Sequence, residues 1–79
     1  MSSAQEIGKK LKNLRGNKTL EEVSSACGIS LSALAMYETG KRIPRDEVKI
    51  KLAEYFNVSI EFLFFASQVH ESWTFYKKR

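Results

Sequence analysis

The residues able to do chemistry in this chain are few, and most of them are cations. Lys41, Arg42 and Arg45 share one short loop segment, Lys18 stands before Thr19, and the whole chain carries 13 Lys and Arg against 9 Asp and Glu. The resulting net charge of +4 favours a polyanionic partner, although charge alone fits a solvated surface better. Cys27 is the single cysteine and His70 the single histidine, so neither a disulfide framework nor a metal site of several soft or imidazole ligands can be assembled. Cys27 ends an apolar stretch and reads as a small buried hydrophobe. The adjacent carboxylates Glu21 with Glu22 and Asp46 with Glu47 fall where first helical turns are expected. Negative charge there is stabilised by the helix dipole, and no cleft or placed partner turns either pair into a catalytic acid and base. The expectation is a protein that is not an enzyme and needs no cofactor.

These residues must be positioned by a small scaffold. Seventy-nine residues allow one domain, and a chain of that size buries only about 60% of its unfolded surface, too little for a large enzyme cleft. Hydrophobic residues at 43% and charged residues at 28% fit a folding globular chain. The longest apolar run, Phe62 to Ala66, is far short of the roughly 18 to 20 residues of a membrane span. With no apolar stretch of signal-peptide length near Met1, the expected location is cytoplasmic.

Helix signals recur along the chain. Ser3 with Glu6 forms a capping box that opens helix 1, expected over Ala4 to Arg15 with Ile7, Leu11 and Leu14 on one stripe and Gly16 and Asn17 as its stop. Thr19 with Glu22 opens helix 2, whose apolar side is Val23, Ala26 and Cys27, and Gly28 ends it. Ser30 caps helix 3, which turns Leu34 and Tyr37 inward and stops at Gly40. Asp46 is the expected cap of helix 4, with Ile50, Leu52, Ala53 and Phe56 as its apolar residues and Asn57 as its stop. Ser59 restarts a fifth helix, with Val58 stapling onto Leu63. No stretch alternates as a strand does, so the expected fold is all-α, a compact bundle of five helices.

The stretch TLEEVSSACGISLSALAMYETGKRIP, Thr19 to Pro44, resembles the helix-turn-helix of the phage repressor and Cro-like (Xre-type) transcription regulators. The resemblance runs from about Ile7 to Leu63 and rests on Val23, Ser24, Gly28, Ile29, Ser30, Leu34, Tyr37 with Glu38, Gly40, Lys41 and the downstream LAEYFNVSIEFL. It implies a lambda-repressor-like fold in which helices 2 and 3 form the helix-turn-helix, with residues 1–66 as the DNA-binding domain and 67–79 as an aromatic and basic extension. In such folds helix 3 enters the major groove and helix 2 crosses the phosphate backbone. Leu31, Ser32, Ala35 and Met36 would face the bases. Lys18, Thr19, Thr39, Lys41, Arg42 and Arg45 would meet phosphates, together with the first amides of helix 2. Arg15 would pair with Glu38. The sequence departs from the pattern at Leu20, where the family usually has a polar amide, at Asp46 and Lys49, where it is commonly apolar, and at Leu31 and Met36, where side chains that read bases by hydrogen bonding are usual.

The implied function is a phage-like transcriptional regulator, a repressor that occupies double-stranded DNA as a homodimer. The alternative is a protein-interaction module on the same frame, an antitoxin or a regulator-binding protein, that uses the apolar Leu31 and Met36 or the aromatic tail. Six of the nine aromatics, Phe62, Phe64, Phe65, Trp73, Phe75 and Tyr76, fall in the last eighteen residues. They are expected either to form the dimer contact or to fold back on the body.

Overall fold

The computed structural model describes residues 3–65, apart from the side chain of Phe65. Within them the chain forms α1 (Ala4–Arg15), α2 (Leu20–Cys27), α3 (Leu31–Thr39), α4 (Asp46–Phe56) and a single π-helical turn, Glu61–Phe65. No helix among the described residues is long and apolar enough to cross a membrane.

Both capping boxes form reciprocally. The Ser3 hydroxyl accepts from the Glu6 amide at 3.1 Å while Glu6 accepts from the Ser3 amide, and Thr19 and Glu22 repeat the arrangement at 3.0 Å each way. Ser30 accepts from the Ala33 amide and Ser59 from the Phe62 amide. Asp46 does not cap α4. The preceding Arg45 takes the extended cap position without a side-chain bond, and Asp46 becomes the first helical residue, an acidic first-turn position that suits the helix dipole, with its carboxylate 3.7 Å from Lys49 Nζ.

The core is made by Ile7, Leu11, Val23, Cys27, Leu34, Tyr37, Leu52, Leu63 and Phe64. Leu11, Val23, Leu52 and Leu63 have no exposed surface at all. Truncating such a residue to Ala typically costs about 2 to 5 kcal/mol through lost transfer energy and the cavity left behind. Two expected core positions lie outside. Ile50 is 47% exposed and Ala26 is exposed, because α4 turns Leu52 and Ala53 inward and α2 turns Val23, Ser24 and Cys27.

Phe64, expected either at a subunit contact or folded back on the body, is 1% exposed within the single chain and lies under the ammonium of Lys49 at 5.5 Å. It is part of the core, as the second of these expectations has it. Phe62 is half-buried against the same core, with Lys10 Nζ 5.2 Å from its ring centre and donating to its backbone carbonyl at 2.7 Å. Burial pushes the Lys10 ammonium down from its usual range, and Glu6 partly offsets this. The two lysines also account for a polar residue at position 49, since its side chain is only 17% exposed and its stem covers apolar surface. Trp73, Phe75 and Tyr76 lie outside the described residues.

α1 packs principally against α3, and the contact runs backbone to backbone at Gly8. A methyl group at position 8 would lie 2.4 Å from the Glu38 carbonyl oxygen and 2.6 Å from that of Tyr37. Glycine is required there by space, not by φ.

Candidate nucleic-acid interface

The interface is built around the turn between α2 and α3. Gly28 holds φ 70° and ψ 33°, the left-handed conformation that a Cβ disfavours, and its amide and that of Ile29 close α2 by donating to Ser25 and Ser24 carbonyls. Ser24, 6% exposed, keeps the helix pair close and directs its hydroxyl to the Glu21 carbonyl at 3.2 Å. Leu34 and Tyr37 then fix α3 onto α1 and α2, and Leu20 packs its apolar side chain against the core at the start of α2.

With one stripe of α3 committed inward, the opposite stripe is left in solvent. Leu31 is 44% exposed, Ser32 is exposed, and Ala35 and Met36 are partly exposed. Glu38 is taken up by Arg15. Its carboxylate receives Arg15 Nε at 2.7 Å and Nη2 at 3.0 Å, a two-point contact, and the side chains are 17% and 7% exposed for Arg15 and Glu38 respectively. The bond to Glu38 raises the Arg15 guanidinium above its ordinary value, so the pair keeps its positive member charged at any working pH.

A third bond was not legible in the sequence. Arg15 Nη1 donates to the Lys18 carbonyl at 2.7 Å, which ties the loop carrying Lys18 and Thr19 to the same guanidinium that holds the end of α3. The loop after α3 is fastened at its backbone as well. The Lys41 amide donates to the Met36 carbonyl at 2.9 Å and the Arg42 amide to the same oxygen at 3.4 Å. Four exposed cations result on these two anchored loops, Lys18, Lys41, Arg42 and Arg45, and none is in an ion pair among the described residues. Their backbones are fixed while their charged ends stay in water, as phosphate clamps require.

Two of the expected phosphate contacts are narrowed by the hydrogen bonding. Thr19 and Glu22 use each other's amides in the capping box, so the first turn of α2 offers the Thr19 hydroxyl proton and the Leu20 and Glu21 amides, beside two carboxylates. Thr39 spends its hydroxyl proton on the Ala35 and Met36 carbonyls, at 3.0 and 3.3 Å, and would have to release it to reach a phosphate. Gly8 is the positional residue that the sequence reading passed over. An isolated glycine inside a helical pattern, where it costs about 1 kcal/mol relative to Ala, was the available signal.

A family model described as Helix-turn-helix (HTH_3) matches residues 9–63. No curated protein matches the chain.

Proposed function

The chain belongs to the helix-turn-helix family of Xre or lambda-repressor type, a family of DNA-binding regulators, and on that premise we propose that it represses transcription by occupying an operator. The observation that carries this reading is the exposed stripe of α3 in a helix-turn-helix whose preceding and following loops hold four exposed cations that form no ion pair among the described residues. Binding, with no chemistry on the nucleic acid, is sufficient: a protein lodged in the major groove excludes polymerase. Leu31, Ser32, Ala35 and Met36 take the base-facing role, Lys18, Lys41, Arg42 and Arg45 the phosphate-facing role, and Thr19 adds its hydroxyl. Arg15 with Glu38 sets the angle between α1 and α3.

The reading includes a homodimer on paired half-sites, in keeping with the two-fold use of helix-turn-helix modules. With Phe64 packed in the core, the proposed contact rests on the other aromatics expected there, Phe62, Phe65, Trp73, Phe75 and Tyr76. A second reading, the interaction module, is favoured by one observation, the 44% exposure of Leu31 on the same stripe.

A salt titration on random duplex DNA tests the proposal. Releasing counterions gives a steep fall of affinity with salt, and changing Lys41 and Arg42 together to Ala should reduce the magnitude of the logarithmic slope by about two, with a similar loss on every sequence. Unchanged slope and affinity in the double variant would remove the proposed docking face.

A further inference from the structure

The stripe that α3 presents is short of hydrogen-bonding groups, and this decides what kind of base edge it can read. Bidentate recognition of guanine or adenine needs a guanidinium, ammonium or amide. Leu31, Ala35 and Met36 have none, Glu38 is held by Arg15, and the Thr39 hydroxyl is bonded back to its own helix. Ser32 is the one base-facing position with a free hydroxyl, and a hydroxyl discriminates poorly because it can donate or accept. What remains is the exposed apolar surface of Leu31 with the partly exposed Ala35 and Met36. In the major groove the apolar feature of a base pair is the thymine 5-methyl group.

We propose that Leu31 and Met36 are the specificity-determining residues and that they read thymine methyl groups, so that the target is defined by where thymines stand on the groove face and not by guanine or adenine edges. The inference rests on the chain's binding duplex DNA, and it names what that interface selects. The charge favours a nucleic acid over a protein as the occupant, since the loops before α2 and after α3 carry four exposed cations, Lys18, Lys41, Arg42 and Arg45, that form no ion pair among the described residues and suit phosphates beside a methyl-bearing groove. At a rise of about 1.5 Å per residue, Leu31 to Met36 spans roughly 7.5 Å, or about two base-pair steps of ~3.4 Å. Two methyl contacts per protein chain are thus within reach.

The test uses the full chain and the tightest-binding duplex recovered from a random pool, synthesised once with thymine and once with uracil, which lacks only the methyl. Losing a buried methyl should weaken binding about four-fold, hence roughly fifteen-fold for two, with the salt slope unchanged. The Leu31→Ala and Met36→Ala double variant, checked for native helical circular dichroism, should bind the two duplexes alike. Equal affinity of the unaltered protein for both duplexes would overturn the proposal and return Leu31 and Met36 to a protein partner. A methyl effect that survives in the double variant would also overturn it, by assigning the effect to DNA shape. Absence of salt-dependent binding to any duplex would instead take down the DNA-binding reading on which the inference rests.

Discussion

Replacing Glu38 with Ala removes the carboxylate that holds the end of α3 to α1, and the cost can be bounded from the geometry. An exposed ion pair contributes about 0 to 1 kcal/mol, whereas breaking a buried one costs about 3 to 5, because a desolvated charge is left without its partner. The pair here is nearer the buried limit, with 7% of the Glu38 side chain and 17% of the Arg15 side chain exposed. A loss of about 2 to 4 kcal/mol is expected, and at about 6 °C per kcal/mol for a domain of this size the melting temperature should fall by roughly 12 to 24 °C. The reciprocal variant Arg15→Ala should be worse. It strands the more buried partner and also gives up the bond to the Lys18 carbonyl, adding about 1 kcal/mol. In Glu38→Ala the guanidinium keeps that bond and retains some access to water. Thermal melts of both single variants and of the double variant give the order and the coupling. A Glu38→Ala melt that overlays the parent protein, or an order in which Arg15→Ala is the milder change, would refute the reasoning.

Two further outcomes follow from burial. Gly8→Ala should destabilise the protein by at least about 1 to 3 kcal/mol despite the better helix propensity of Ala, because the added methyl meets two backbone carbonyls that no rotamer change can move; urea titration measures it. Burial raises the Cys27 thiol above its ordinary value, against a smaller opposing effect of Lys51. The folded state therefore holds the proton more tightly than the unfolded one, and the contribution of this group is complete below the ordinary thiol value of 9.0 and declines as pH rises beyond it. Urea melts between pH 8 and about 10 should show a steeper loss for the parent than for Cys27→Ala; parallel curves would place the thiol in solvent.

Much of the scaffold was readable because its signals are local. Ser3 with Glu6, Thr19 with Glu22, Ser30 and the glycines after α2 and α3 act within a few residues, so each helix end is set by neighbours in sequence. Misreadings arose where neighbours in space decide. Ile50 is apolar and helical yet faces water, since α4 has one stripe to bury and Leu52 with Ala53 occupy it. Phe64 belonged to an aromatic run for which a subunit contact and packing on the body were both open, and the choice depends on Lys49 and the core that meet its ring in space, as Lys10 meets that of Phe62. At the candidate interface, the loop cations are visible in the sequence, and their phosphate-facing role is what the family resemblance implies. The bond from Arg15 to the Lys18 carbonyl and the internal use of the Thr39 hydroxyl depend on side-chain direction, which spacing alone does not specify.

The close seat at Gly8 has a bearing on how the chain folds. A glycine in the middle of α1 makes that helix, taken alone, about 1 kcal/mol less favourable than an alanine version. What it gains in return exists only once the carbonyls of Tyr37 and Glu38 are in place against it. α1 is thus weakened as an independent unit and rewarded as a docked one, so its formation is conditional on α3 and the two should acquire structure together, as a single cooperative step. The same Gly8→Ala change then acts with opposite sign at two levels: it would raise the helicity of an isolated Ala4–Arg15 peptide while lowering the stability of the whole protein. The chain has given up local propensity at one position of α1, so that this helix settles only against α3.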